Sequence, residues 1–152
     1  MKIRIDNLES IEVKQLLQEH HEDMLIHSPP ESVHALDLSS LRAPDVTFWT
    51  AWINGELAGC GALKKLNETH AELKSMRTSQ KFLRRGVAAK LLTYILEIAQ
   101  KQLFKQVSLE TGTMKSFVPA QKLYKSFGFQ VCQPFSNYQE DPYSMFLTKA
   151  IR

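Results

Sequence analysis

Apolar and polar positions change their spacing in the middle of the chain, from the period of a strand to the period of a helix. Residues 71–76 alternate, which predicts a strand with Glu72, Lys74 and Met76 on one face. After a short polar loop the apolar residues recur every fourth position, as in an amphipathic helix. The apolar stripe of this helix is Leu83, Val87, Leu91 and Ile95.

The loop between these two elements is basic, contains one glycine and reads Arg84-Arg85-Gly86. The first N–H groups of a helix have no acceptor inside the helix, and the helix dipole places positive charge at the same end. The small residues Ala88 and Ala89 let a pyrophosphate approach the backbone closely. The loop lacks the residues of a Walker or Rossmann motif. It therefore predicts a phosphate-binding turn, with an ordinary connection carrying two solvated arginines as the alternative.

The patterns in the rest of the chain predict six further strands and three further helices. The strands are Lys2 to Asp6, Val46 to Ile53, Glu56 to Leu63, Gln106 to Thr111, Phe129 to Cys132 and Tyr143 to Lys149. The helices are Leu8 to Gln18 with Asn7 as its cap, Glu31 to Leu41, and Lys115 to Ser126. Asn54-Gly55 predicts a type I′ hairpin turn, and His20 to Pro30 is expected to be irregular.

Length and composition indicate one globular domain that spans residues 1–152. Hydrophobic residues make up 43% of the chain and charged residues 23%, which is an ordinary globular balance. Cys60 and Cys132 both lie in apolar runs, so we expect two buried free thiols, as in a reducing cytoplasm. There is no apolar segment at the N-terminus and no run of about 20 apolar residues, so we expect no membrane partner.

The net charge of +3 is mild and suits a small polyanionic ligand. A nucleic-acid-binding protein would need a clustered basic stripe, which the sequence does not contain. The five histidines have no metal-ligand spacing, so solvated histidines are expected and no metal site is predicted.

Two segments together resemble the GNAT superfamily of N-acetyltransferases. Leu83-Arg84-Arg85-Gly86-Val87-Ala88 is similar to its acetyl-coenzyme A loop, Gln/Arg-x-x-Gly-x-Gly/Ala, with Leu83 as the departure. The segment from Ala120 to Phe129 is similar to its Asn-x-x-Ala-x-x-x-Tyr-x-x-x-Gly-Phe pattern, with Tyr124 at the tyrosine and Phe117 at the asparagine. The resemblance covers roughly the C-terminal half of the chain.

The resemblance implies an α+β fold, in which helices flank a mixed, mostly antiparallel sheet of about seven strands in three layers. It implies acetyl-coenzyme A as the co-substrate. The strands that carry Met76 and Leu109 are expected to splay apart, and the N–H groups freed there are expected to bind the pantetheine arm. The cofactor-binding residues implied are Met76, Arg77, Thr78, Leu83, Arg84, Arg85, Gly86, Val87, Ala88, Ala89, Phe117, Ala120 and Tyr124.

Acetyl transfer to an amine needs a neutral amine, a polarised carbonyl and a proton for the leaving thiolate. Within the resemblance, Tyr124 is the candidate acid, although the helical spacing also fits a core tyrosine. Glu72 and Glu110 are rival candidates for the base, and a cross-strand salt bridge is the alternative for Glu72. Direct attack in a ternary complex is favoured, because neither cysteine has a base beside it in the sequence.

The expected acceptor is a primary amine of a small molecule or a protein. The resemblance implies that residues 20–45 cover the acceptor cleft, where His34 and Arg42 are candidate lining residues. Phe135, Tyr138 and Tyr143 are expected to be exposed and to offer a homodimer contact. The alternative function is a non-catalytic module that binds or senses acyl-coenzyme A.

Overall fold

The computed structural model describes residues 1–30 and 38–152. Its strands are β1 (Lys2–Ile5), β2 (Val46–Ile53), β3 (Glu56–Lys65), β4 (His70–Thr78), β5 (Gln106–Gly112), β6 (Gln130–Val131) and β7 (Ser144–Ala150). Its helices are α1 (Ile11–His27), α2 (Leu38–Leu41), α3 (Val87–Lys101) and α4 (Val118–Ser126), with short 3₁₀ turns at Gln80–Phe82 and Lys115–Phe117.

The seven described strands form one sheet in the order β1-β2-β3-β4-β5-β7-β6. Neighbouring strands are antiparallel, except β4 and β5, which are parallel. Parallel neighbours need a crossover connection, and α3 supplies it. The predicted α+β class and the mixed, mostly antiparallel sheet of seven strands are confirmed.

Helices cover both faces of the sheet. On each face, a separate buried apolar cluster lies between the helices and the sheet. Phe48 and Trp49 are neighbours on β2 and join different clusters, because successive side chains of a strand point to opposite faces. The cluster under α3 and α4 includes Leu91, Ile95 and Leu109. The cluster under α1 and α2 includes Val13, Leu16, Leu17, Leu41 and Cys60. The sheet therefore lies between two layers of helices, which is the predicted three-layer arrangement.

The first helix differs most from its prediction. It begins at Ile11 and not at Leu8, because Leu8 has a left-handed backbone with φ of 63° and cannot start a helix. Asn7 does not cap the helix; its side chain accepts from the N–H of Glu9 at 3.1 Å and closes the preceding turn. The cap is Ser10, whose Oγ accepts from the N–H of Val13 at 3.3 Å.

The predicted irregular segment from His20 to Pro30 is wrong, because α1 continues to His27. From Val13 onward, every third or fourth residue of this helix faces the sheet and is buried or half-buried. This spacing continues through the half-buried residues His20 and Met24, so the helical pattern extends into the segment. The predicted helix from Glu31 to Leu41 lies partly outside the described residues, as does His34, and Leu38–Leu41 is the helical part that the structure describes.

Several local predictions are confirmed. Asn54 and Gly55 both have positive φ, 49° and 78°, as a type I′ hairpin requires. Pro119 lies in the first turn of α4, where its missing N–H costs no hydrogen bond. Cys60 is buried as expected, whereas Cys132 is half-buried and follows the short strand β6, so the prediction for it was wrong. Within the two described ranges, no helix is both long and apolar enough to cross a membrane.

Candidate functional site

The parallel strands β4 and β5 separate after a short paired stretch. They pair at His70–Gln106, Ala71–Val107 and Glu72–Ser108, although β4 runs on to Thr78 and β5 to Gly112. The backbone groups of β4 that face β5 after Glu72 therefore have no strand partner there. The predicted splay of these two strands is confirmed.

A β-bulge lies in β4 where the splay opens. Between the pairs Ala62–Lys74 and Cys60–Arg77, two residues of β4 oppose one residue of β3. Ser75 takes up the extra length with a φ of 56°. One extra residue exchanges the two faces of a strand, so Met76 packs against the cluster under α3. The prediction that Met76 shares a face with Glu72 and Lys74 is wrong for this reason.

A pocket of about 410 Å³, here called the Tyr124 pocket, lies between the end of β4, the start of α3, α4 and the C-terminal half of α1. Eight of the predicted cofactor-binding residues line it: Met76, Arg77, Thr78, Leu83, Ala88, Phe117, Ala120 and Tyr124. The other predicted residues do not line it: Arg84, Arg85 and Gly86 are exposed, Ala89 is half-buried, and Val87 is buried in the core.

The turn before α3 presents a run of backbone N–H groups without internal partners. No described residue accepts a hydrogen bond from the N–H groups of residues 84–89, and the first helical bond runs from Lys90 to the carbonyl of Gly86 at 3.1 Å. Gly86 caps the helix with a φ of 78°, and a Cβ atom at this position would meet nothing within 4 Å. The turn therefore has free donors, the positive helix end and open space for an anion.

Tyr124 stands at the wall of the pocket named after it. Its ring packs edge-on against Phe129, with 5.9 Å between the ring centroids. Burial raises the pKa of its phenol well above the ordinary value. The phenol has no hydrogen-bond partner among the described residues, so its proton is available to a molecule in the pocket. The side chain thus belongs both to the core and to the pocket wall.

A second pocket, of about 330 Å³ and here called the Glu72 pocket, lies on the side of the sheet that α1 and α2 cover. Glu72 is 3% exposed, and its Oε2 accepts from the Tyr138 hydroxyl at 2.6 Å. Lys74 Nζ lies 3.5 Å from the same oxygen. Glu110 also lines this pocket and accepts from the Ser144 hydroxyl at 2.7 Å. The pocket is therefore polar and carries charges of both signs.

The two pockets meet at α1. His20 and Met24 line both of them, next to the splay of β4 and β5. An ion pair of 2.6 Å between Asp23 and Arg77 joins α1 to β4 at the same place. The pKa of His20 is lowered to about 4, first by burial and then by the Arg77 charge, so the imidazole is neutral near pH 7. The residues shared by the two pockets therefore include a histidine that is neutral near pH 7.

The family model described as Acetyltransferase (GNAT) family matches residues 12–129. Over 151 residues the chain is 56% identical to an uncharacterised N-acetyltransferase, YsnE, of Bacillus subtilis (strain 168), with 99% of this chain and 100% of that protein covered. The chain belongs to the acetyltransferase (GNAT) family. The predicted enzyme class, an N-acetyltransferase, is confirmed with it.

A second relative agrees with membership of the GNAT family, and a solved structure agrees with the fold. The uncharacterised N-acetyltransferase YedL of Escherichia coli (strain K12) is 49% identical over 146 residues, which are 96% of this chain and 92% of that protein. A crystal structure of a GNAT family acetyltransferase from Elizabethkingia anophelis with acetyl-CoA bound has the same fold. It superposes with a TM-score of 0.71 at 21% identity, with 98% of this chain and 97% of that chain covered.

Some residues of the site were not found from the sequence, and some predicted ones lie elsewhere. The sequence predicts a solvated His20, whereas the structure places it at both pockets; its spacing of four residues from Leu16 and from Met24 is the signal that indicates this position. Arg42 does not line the Glu72 pocket; it donates to the carbonyl of Leu8 at 2.9 Å. No cluster of potential metal ligands occurs in residues 1–30 and 38–152.

The aromatic residues expected at a dimer contact are mostly turned inward. Phe135 and Tyr138 are half-buried and pack together with Phe146, with centroid distances of 5.2 to 5.9 Å. Tyr143 is 37% exposed. The prediction of three exposed aromatic side chains is therefore wrong for two of them, because the loop before β7 folds over the Glu72 side of the sheet.

Proposed function

We propose that the protein transfers the acetyl group of acetyl-coenzyme A to a primary amine, by direct attack in a ternary complex. The splay of β4 and β5 carries this proposal, because it leaves backbone groups at the end of β4 without a strand partner, in a region where the Tyr124 pocket and the Glu72 pocket share His20 and Met24. The structure from Elizabethkingia anophelis, which has the same fold, was solved with acetyl-CoA bound. The acceptor is a small molecule or a protein that carries an amine.

Acetyl-coenzyme A is bound along the Tyr124 pocket. Its diphosphate accepts hydrogen bonds from the N–H groups of residues 84–89, next to the positive end of α3. The guanidinium groups of Arg84 and Arg85 are exposed beside these donors and add favourable charge. The pantetheine arm lies along residues 76–78, whose β5-facing backbone groups lack a strand partner. Phe117 and Ala120 form part of the opposite wall.

The reaction joins the two pockets at the splay. The neutral amine nitrogen attacks the thioester carbonyl carbon, and the carbon–sulfur bond breaks as the amide forms. Free N–H groups at the end of β4 stabilise the oxygen that becomes negative. Tyr124 gives its proton to the sulfur, and because the pKa of its phenol is raised it keeps that proton until the thiolate forms. The proton of the amine goes to a carboxylate of the Glu72 pocket, Glu72 or Glu110.

A test separates this function from a module that only binds acyl-coenzyme A. The protein is mixed with acetyl-coenzyme A and a panel of amines, and free thiol and acetylated products are measured by a colorimetric reagent and by mass spectrometry. Binding is measured in parallel as a shift of the unfolding temperature. Amine-dependent thiol release with a matching acetylated product supports acetyl transfer. A temperature shift without thiol release across the panel indicates the binding module instead.

A further inference from the structure

The Glu72 pocket contains a lysine that forms no ion pair with a described residue. Lys64 lies on β3, is half-buried and lines the pocket. Its cross-strand partner is Glu72, but that carboxylate is engaged by Lys74 and Tyr138. Lys64 itself has no hydrogen bond or ion pair in the described part of the chain. A lysine in a pocket that forms no ion pair of its own favours an anionic group on the molecule that fills the pocket.

A second polar group in the same pocket lacks a partner. The Oγ of Ser75 is buried and has no hydrogen bond to any described residue. Buried hydroxyl groups without a partner are uncommon, and each costs free energy until a ligand or water bonds to it. Ser75 is the bulged residue of β4 and lines the pocket at the splay. A polar group of the acceptor is therefore expected close to Ser75.

Lys64 and Ser75 mark opposite ends of the pocket. Lys64 stands opposite Glu72, and Ser75 lies three residues further along β4, about 10 Å away at the usual rise of a strand. Glu110 lines the pocket together with Ser75, on the strand across the splay. The apolar wall of the pocket is formed by Met24, Leu41, Val46 and Leu73. Because Glu72 is paired with Lys74, the cation without an ion pair is Lys64 at one end, and the carboxylate nearest the splay is Glu110.

We propose that the acceptor is an amino carboxylate, whose carboxylate binds Lys64 while its amine points past Ser75 to the splay. This inference rests on the proposed function and names its substrate class. The ammonium form of the acceptor is attracted by Glu110, the carboxylate of the pocket that lies beyond the last paired row of β4 and β5. The acceptor's own charges then match those of the pocket from end to end.

The test compares each amino carboxylate with its own carboxamide, which keeps the length and the amine but removes the negative charge. The panel is a series of straight-chain amino acids of increasing length, with acetylation measured as kcat and KM. The wild-type protein is expected to prefer the carboxylates by at least tenfold in kcat/KM. Equal rates for carboxylate and carboxamide throughout the series would overturn the inference while leaving the proposed function intact.

Two variants locate the effect. Lys64→Met keeps the length of the side chain and removes its charge, and it should raise KM for carboxylates at least tenfold while KM for the carboxamides changes less than twofold. Lys65→Met is the matched control, because Lys65 is the next residue of β3, is exposed and pairs with Glu68 at 3.0 Å. It should leave both constants unchanged. A rise of KM for carboxylates and carboxamides alike in Lys64→Met contradicts a carboxylate contact.

The remaining outcomes are also decisive. If no amine of either kind is acetylated although acetyl-coenzyme A binds, the proposed function fails and the inference fails with it. If only carboxamides and simple amines are acetylated, the inference is wrong and the function stands. Unfolding temperature and acetyl-coenzyme A affinity serve as checks on Lys64→Met. Should that variant not fold, Lys64→Gln replaces it, and the carboxylate preference of the wild type remains the deciding measurement.

Discussion

At the scale of single residues, the environment decides what each polar side chain can do. Tyr124 and Tyr138 both have a pKa raised first by burial, but their surroundings differ. The hydroxyl of Tyr138 already donates a hydrogen bond to Glu72. The hydroxyl of Tyr124 has no hydrogen-bond partner in the described chain and faces a pocket. A tyrosine without a partner at a pocket wall is suited to donate to a bound molecule, and one held by a carboxylate is suited to fix that carboxylate in place.

Replacing Tyr124 with phenylalanine tests its role as the acid. Tyr124→Phe keeps the ring that packs on Phe129 and removes only the hydroxyl, so turnover should fall by roughly 100-fold while coenzyme A affinity changes less than twofold. The measurement is steady-state kinetics together with calorimetric titration of coenzyme A. Tyr94→Phe is the control, because Tyr94 of α3 packs edge-on against Trp49 of β2 and lines neither pocket. Unchanged turnover in Tyr124→Phe would remove the proposed role.

The two candidate bases are expected to contribute unequally. The carboxylate of Glu72 is engaged by Tyr138 and Lys74 and belongs to the last paired row of β4 and β5. Glu110 lies two residues beyond that row, where the strands have separated. Glu110→Gln should therefore lower kcat/KM at least tenfold more than Glu72→Gln does, and should change the pH profile of kcat/KM. The reverse ranking would assign the base to Glu72.

His20 should make stability depend on pH. Its pKa is about 4 in the folded protein and near 6.5 when exposed, so between these values the unfolded chain binds a proton that the folded chain does not. The free energy of unfolding therefore falls as the pH drops from about 6.5 toward 4. A histidine with this pKa shift lowers the free energy of unfolding at pH 5 by at most about 2 kcal/mol relative to neutral pH.

The comparison of urea unfolding at pH 7.5 and pH 5.0 measures this contribution. His20→Gln should lose less stability between the two values than the wild type, whereas His27→Gln, at the exposed end of the same helix, should behave like the wild type. Equal losses in the wild type and in His20→Gln would show that other groups carry the dependence.

At the scale of secondary structure elements, predictions succeeded where the determining contacts are local. The stripe of α3 and the Asn54-Gly55 turn depend on residues close together in sequence, and both are confirmed. The bulge of β4 depends on β3 instead. Gly61 lacks a side chain, and a Cβ there would lie 2.6 Å from Met76 Sδ, so the glycine leaves room for Met76 to pack over it in this position. No pattern within β4 contains that information.

The candidate site also has parts that local sequence encodes and parts that depend on residues far apart in sequence. The turn at residues 84–89 and the residues around Tyr124 are encoded by short motifs. The Glu72 pocket is assembled from α1, α2, strands β2 to β5 and the loop that carries Tyr138, which is 66 residues from Glu72 in sequence. Its polar members lie on separate elements, and each of them taken alone fits a solvated surface. Only the pairing of β3, β4 and β5 brings them together.

The start of α3 offers a direct test of the backbone donors. Ala88→Pro removes one N–H from the first helical turn, where proline is tolerated, as Pro119 shows in the first turn of α4. Coenzyme A should bind at least tenfold more weakly, because a hydrogen bond to a charged group is lost. Ala88→Ser retains the N–H and is the control, expected within twofold of the wild type. Titration calorimetry gives both constants, and equal affinity of the two variants would contradict binding through these amides.

At the scale of the whole molecule, one sheet carries both pockets, and every layer contributes to them. The Tyr124 pocket is lined by α1, β4, α3 and α4, and the Glu72 pocket by α1, α2 and four strands or their ends. The two apolar clusters share strands β2 and β3, so neither face can lose its packing without affecting the other. This shared packing supports the prediction of a single domain over residues 1–152. In a single domain, a bound ligand stabilises the entire fold against unfolding.

Acetyl-coenzyme A should therefore raise the stability of the chain as one unit. A ligand at 100 times its dissociation constant adds about 2.7 kcal/mol to the free energy of unfolding if it binds only the folded state. Urea unfolding followed by tryptophan fluorescence and by circular dichroism should shift together to higher denaturant, since Trp49 is buried in the cluster under α3 while α1 lies on the other face. Ala88→Pro is expected to show a smaller shift at the same ligand concentration. Two transitions that respond differently to the ligand would mean that the faces unfold separately, and the single domain would be wrong.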